Sequence, residues 1–99
     1  MRNEIGLMED CLENVVGQQL HLEIEGHGVF DYEGAKLFFI QERAYLLALR
    51  LTPQQEGYLM TFDDLGDGWY TLRDILDEQE WQTAKDASGW EDYTGVLHR

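Results

Sequence analysis

Cys11 is the only thiol in the chain and Ser88 the only serine, so nucleophilic chemistry has few places to reside. A nucleophile needs an activating base and a site for the developing oxyanion. Cys11 follows Asp10, whose charge opposes thiolate formation, and it reads as a small packing residue. No Gly-x-Ser-x-Gly elbow and no phosphate-cradling glycine loop is present. His21 and His27, with Glu23 and Glu25 nearby, are donor types that a transition metal takes. No His-x-x-x-His spacing fixes a ligand geometry, however. His21 reads as a solvated strand residue, His27 as a turn residue, and His98 is next to last. The run Asp63-Asp64-Leu65-Gly66-Asp67-Gly68 invites comparison with a calcium loop. With Asp63 first, Leu65 falls where an oxygen ligand is required, and Asp74 falls where the loop wants a bidentate Glu. The run is better read as Asp-Gly turn chemistry. No pair of carboxylates is marked out for glycosidase work, which needs two across a sugar-sized cleft. The expectation is a protein that is no enzyme and takes no metal or cofactor.

Charge says more. Twenty acids against seven bases give −13, with an isoelectric point near 4.3. Direct binding to nucleic acid or to an anionic membrane is disfavoured, because Lys and Arg supply the phosphate-neutralising contacts. The most apolar stretch, Leu37 to Leu51, is cut by Gln41, Glu42 and Arg43 and is too short and polar to span a bilayer. Apolar residues make up 43% and aromatics 12%, enough for a real core, which argues against a disordered tail. Ninety-nine residues suit one domain, 1–99. The opening Met1-Arg2-Asn3-Glu4 lacks the basic start and apolar run of a secretory signal, so a cytoplasmic location is expected.

The acids are unevenly spread. Eleven fall between Glu56 and Asp92, against Arg73 and Lys85 alone, and Trp69, Trp81 and Trp90 share that stretch. A row of carboxylates with aromatic anchors suits a basic surface on another protein, where charges set the on-rate and aromatics supply buried energy. The expected partner-binding set is Asp63, Asp64, Asp67, Asp74, Asp77, Glu78, Glu80, Trp81, Trp90, Glu91 and Asp92. Trp81 and Trp90 are anchors only if they are not core. In composition and size the chain resembles the small acidic inhibitors of phages and mobile elements, including anti-CRISPR and antirestriction proteins. That resemblance implies a phosphate mimic occupying a nucleic-acid groove. An immunity protein against a basic toxin nuclease fits the same composition. So does an assembly subunit whose acids only keep it soluble.

The elements that must position these residues follow from periodicity. Ile5, Met8, Leu12 and Val15 recur at helical steps after Asn3, and Gly17 suits the closing position, so a helix is expected over about 4–16. Leu20, Leu22 and Ile24 alternate with polar residues, which predicts a strand with Glu23 and Glu25 on its wet face. Val29 to Tyr32 suits a short strand and Glu33-Gly34 a turn. Residues 35–51 have the Ala, Leu, Lys, Glu and Arg content of a helix, but their apolar residues on every side favour a hairpin broken at Gln41-Glu42-Arg43, with Tyr45, Leu47, Leu49 and Leu51 facing one way and Ala44, Leu46 and Ala48 the other. A strand over Tyr58–Phe62 follows. Thr71 and Asp74 then resemble a capping box for a helix near residues 72–85, with Leu72, Ile75 and Leu76 as its buried stripe and Asp74, Asp77 and Glu78 on one face. The fold class expected is α+β: an N-terminal helix, an antiparallel sheet of about four or five strands, and one further helix.

Overall fold

The computed structural model describes residues 5–8, 13–24, 28–50, 56–90 and 95–98; for 5–8, 13, 23 and 24 it describes the backbone alone. Strands dominate. They are β1 (Ile5–Met8), β2 (Gln19–Ile24), β3 (Gly28–Ile40), β4 (Arg43–Arg50), β5 (Glu56–Gly66), β6 (Trp69–Asp74) and β7 (Val96–His98), with one helix, α1 (Glu78–Ser88), after β6. All seven strands join one sheet in the order β1-β6-β5-β4-β3-β2, and β7 pairs with β5 beyond the end of β6. Every pairing is antiparallel except β5 with β7.

This architecture overturns the α+β expectation at both ends. Among the described residues there is no N-terminal helix: Ile5–Met8 is an edge strand on β6, and Glu13–Val15 makes a short 3-10 turn. The helical spacing of Ile5, Met8, Leu12 and Val15 loses to a pairing partner more than sixty residues away, which local periodicity does not register. Val15 still enters the core and Gly17 still closes its turn at φ 89°. The second helix begins at Glu78 rather than near residue 72. Asp77 is its N-cap, its side chain accepting from the Glu80 amide at 2.8 Å. Thr71 to Asp74 instead complete β6, so Leu72 is buried from a strand, Ile75 from the link, and Leu76 is exposed. Asp74, Asp77 and Glu78 therefore share no helix face.

Two cores flank the central strands, which is why β4 is apolar on both sides. On the inner face Leu20, Leu22, Tyr32, Ala44, Leu46, Ala48, Tyr58, Met60, Phe62 and Leu72 pack together, and the sheet curls over them. Val15 seals this face where its carbonyl lies against Gly34, and a Cβ there would stand 2.0 Å from that oxygen. On the outer face Tyr45, Leu47, Leu59, Ile75 and Trp90 pack with Ala84 of α1. The hairpin expectation holds: Tyr45 and Leu47 face outward, with Leu49 packed against that cluster, and Ala44, Leu46 and Ala48 face inward. Leu51 lies outside the described residues. The expected turn at Glu33-Gly34 is instead a bulge between Gly34 and Lys36 within one 13-residue strand. The extra residue flips the alternation, so Tyr32 faces inward before it and Phe39 after it. Leu20 and Leu22 are buried as their alternation predicted. The side chains of Glu23 and Ile24, and Glu25 entirely, lie outside the described residues.

Candidate interaction surface

Asp63 is the hub of a polar network on the outer face, assembled from β4, β5, β6 and α1. Arg43 donates from Nη2 to Asp63 Oδ1 at 2.8 Å and from Nε to Thr61 Oγ1 at 2.9 Å, and its Nε lies 3.4 Å from Glu80 Oε2. Arg73 Nε donates to the other Asp63 oxygen, and this hydrogen bond holds its guanidinium above its ordinary pKa. The Tyr45 hydroxyl donates to Glu80 Oε2 at 2.9 Å. Burial, then that hydrogen bond, pushes the Tyr45 phenol up, so it is poorly suited to act as a base at neutral pH. A cavity of about 590 Å³ opens beside Arg43, Tyr45, Asp77 and Glu80. Each side chain in this network meets another of its members, and the network acts as a clamp between sheet and helix.

The other acids expected at the interface divide by task. Asp64 accepts from the Gly66 amide at 2.8 Å and shapes the β5–β6 turn. Asp67 stands at the tip of that turn at φ 53°. Asp74 accepts from the Tyr58 hydroxyl at 2.8 Å, Asp77 caps α1, and Glu78 is exposed in its first turn. Trp81 is half-buried, with Lys85 Nζ 5.3 Å over its ring. Trp90 is core: it is 6% exposed and lies on Gly57, where a Cβ would stand 2.5 Å from its ring. The chain itself thus covers the indole, and the bare backbone at Gly57 is what lets it lie against the sheet. Glu91 and Asp92 lie outside the described residues, as do Cys11 and His27. His21 pairs with Asp31 across the β2–β3 ladder, and His98 Nε2 lies 3.7 Å from Glu56. No three His, Cys, Asp or Glu side chains gather to hold a metal among the described residues. No helix among them is long and apolar enough to cross a membrane.

No protein-family model, curated protein or solved structure matches this chain.

The inner face holds residues that the sequence did not single out. The β3–β4 and β5–β6 tips lie at one end of the sheet and border a cavity of about 250 Å³. Ala44 and Phe62 form its buried floor, and Tyr70, Asp64 and Glu42 its walls. Phe39 sits across from Ala44 on β3 and is 60% exposed. Gln41 and Glu42 make the two-residue turn with both φ angles positive, 49° and 71°. Such turns favour Asn and Gly, so the usual sequence signal is missing here. Leu65 and Trp69, also exposed, flank the neighbouring tip.

Proposed function

We propose that the chain is a small acidic inhibitor that binds a basic, nucleic-acid-contacting surface of a partner protein, with carboxylates standing where phosphates would. One observation carries this reading. Each Lys and Arg among the described residues is held within the molecule: Lys36 by the Ser88 carbonyl, Arg43 and Arg73 by Asp63, Arg50 by Glu56, and Lys85 over Trp81. Glu33, Glu42, Asp67 and Asp86 stand exposed with no hydrogen bond or ion pair to any described residue. With a net charge of −13, the surface carries a large excess of negative charge, the condition for steering a basic partner. Exposed Phe39, Leu65 and Trp69 beside the acidic tips supply apolar contact that charge alone does not.

The test begins with capture of partners from a lysate in low and in high salt, with double-stranded DNA as competitor. Asp74, Asp77 and Glu80 are poor targets for mutation because each holds the fold. A variant carrying Glu33→Gln, Glu42→Gln, Asp67→Asn and Asp86→Asn removes charge without removing a hydrogen bond or ion pair among the described residues. With a purified captured protein, its association rate should fall roughly tenfold in low salt, and the difference should shrink as salt is added. Captured proteins that are not basic, or an unchanged rate and salt dependence, would overturn the proposal. Whether the partner is a nucleic-acid-binding complex or a toxin nuclease is read from its identity.

A further inference from the structure

The inner face repeats one arrangement at its two ends, and one copy lacks a member. At the β3 N-terminal end Arg50 lies 4.1 Å over the Phe30 ring, and its Nη1 is 3.4 Å from Glu56 Oε2. An aromatic face, a guanidinium and a carboxylate there form a sandwich within the chain. At the other end the Tyr70 ring and the Glu42 and Asp64 carboxylates line the 250 Å³ cavity, and exposed Phe39 stands across from Ala44 of its floor. No described cation occupies it. Arg43 contributes only to the lining, because its guanidinium is bound on the outer face to Asp63, Thr61 and Glu80.

From this comparison we infer that the tip cavity is a socket for one arginine side chain of the protein partner. The inference rests on the acidic reading above and names what that surface grips. The cavity holds a side chain and nothing much larger. Its floor of Ala44 and Phe62 suits the aliphatic stem, which long cationic side chains bury readily. The Tyr70 ring in its lining suits the planar guanidinium, which stacks on aromatic faces better than an ammonium does, and exposed Phe39, the ladder partner of Ala44, adds aromatic surface on the same face. Glu42, with no partner of its own among the described residues, and the second Asp64 oxygen stand ready to accept its donors. The filled end of the same face shows that this chain already uses that combination.

The probes are capped Gly-Gly-Arg-Gly-Gly and its lysine and citrulline counterparts, titrated into the intact protein and followed by NMR. The arginine peptide should give saturable shifts at Phe39, Ala44, Phe62 and Tyr70, several-fold tighter than the lysine peptide, with none from citrulline. Phe39→Ser and Glu42→Gln should each weaken binding several-fold without altering the melting temperature. Asp64→Asn keeps an acceptor for the Gly66 amide while dropping the charge, so it tests the socket with the turn intact. Shifts that do not saturate, a citrulline peptide that binds equally, or variants that bind like wild type would overturn the socket. Equal binding of the lysine peptide would overturn its assignment to arginine. The two proposals fail separately. If a captured basic protein binds all three variants at wild-type affinity, the socket is wrong and the acidic reading stands. If the arginine peptide fills the socket and no basic protein is captured, only the acidic reading falls.

Discussion

The two ends of β3 present the same ring and carboxylate chemistry to the inner face and differ in who supplies the cation. Near Phe30 the chain provides Arg50, and Glu56 is thereby spent on holding β4 to β5. Near Phe39 no cation among the described residues takes that place, since Arg43 is bound to Asp63, and Glu42 is left exposed. The contrast teaches that a carboxylate count is not a binding surface. Asp63, Asp74, Asp77 and Glu80 carry as much charge as Glu42 and Asp67, yet their geometry commits them to the fold. Acids become available only where no guanidinium, hydroxyl or amide of the same chain has claimed them.

The sharpest way to break the comparison is to empty the filled end. Arg50→Gln removes a guanidinium stacked at 4.1 Å and takes from Glu56 the arginine it pairs with at 3.4 Å. Both side chains are well covered, so the loss should be about 1–3 kcal/mol of stability, read by denaturant unfolding. Arg50 also holds the neighbouring Tyr32 phenol down, so its removal should move that ionisation further into alkali in a 295 nm titration. Unchanged stability would show that the stack is incidental and remove the precedent for the tip socket.

A smaller effect is expected from Tyr32, which packs edge-on to Tyr58 beside that sandwich. Its hydroxyl is buried with no hydrogen-bond partner among the described residues. Tyr32→Phe therefore removes an unsatisfied polar atom and should be neutral or stabilising by up to about 1 kcal/mol at pH 7. The pH profile separates this from a packing effect. Burial, then Glu56, pushes the phenol up to about 12 from 10.0, against the lowering influence of Arg50. A raised folded pKa favours the neutral form, so its contribution is complete below pH 10.0 and lost as pH rises through 12. Melting temperature in wild type should fall across that window, and the Phe variant should lose less. Parallel curves would mean that Tyr32 ionises freely and is not sealed in the inner face.

How much of this was legible follows from the same geometry. β4 could be read residue by residue because it is central and buried on both faces, so its alternation is uninterrupted. β3 could not, because the bulge at Gly34/Lys36 reverses its phase midway and two half-patterns look like two elements. β1 is an apolar edge segment whose partner is distant, and its spacing is as good for a helix. The helix was expected but placed too early in the chain, because α1 buries Ala84 and Ser88, small residues that leave no apolar stripe to mark its true start. The acid excess was plain from composition. Its division into structural and available carboxylates was not, since Asp63 meets Arg43 and Arg73 only when three strands align. Phe39 carried no signal at all, because a strand aromatic next to a turn looks like core until its face is known.

The smallest expected effect, and the one that most directly sharpens the comparison, is on the fold when Glu42 is neutralised. Glu42 makes no hydrogen bond or ion pair to a described residue and shares its cavity with Asp64, a like charge. Glu42→Gln keeps the side-chain length and the backbone demand of a positive φ, so only charge changes. Stability should stay within about 0.5 kcal/mol of wild type. If it shifts, it should rise, because a like-charge contact is relieved. Thermal unfolding in low salt reads this most sensitively, since screening removes the repulsion. A fall of more than about 1 kcal/mol would mean that Glu42 holds the β3–β4 turn as Glu56 holds Arg50. The two ends of β3 would then be alike, both closed on themselves, and the carboxylate at the tip would have nothing left to offer a partner.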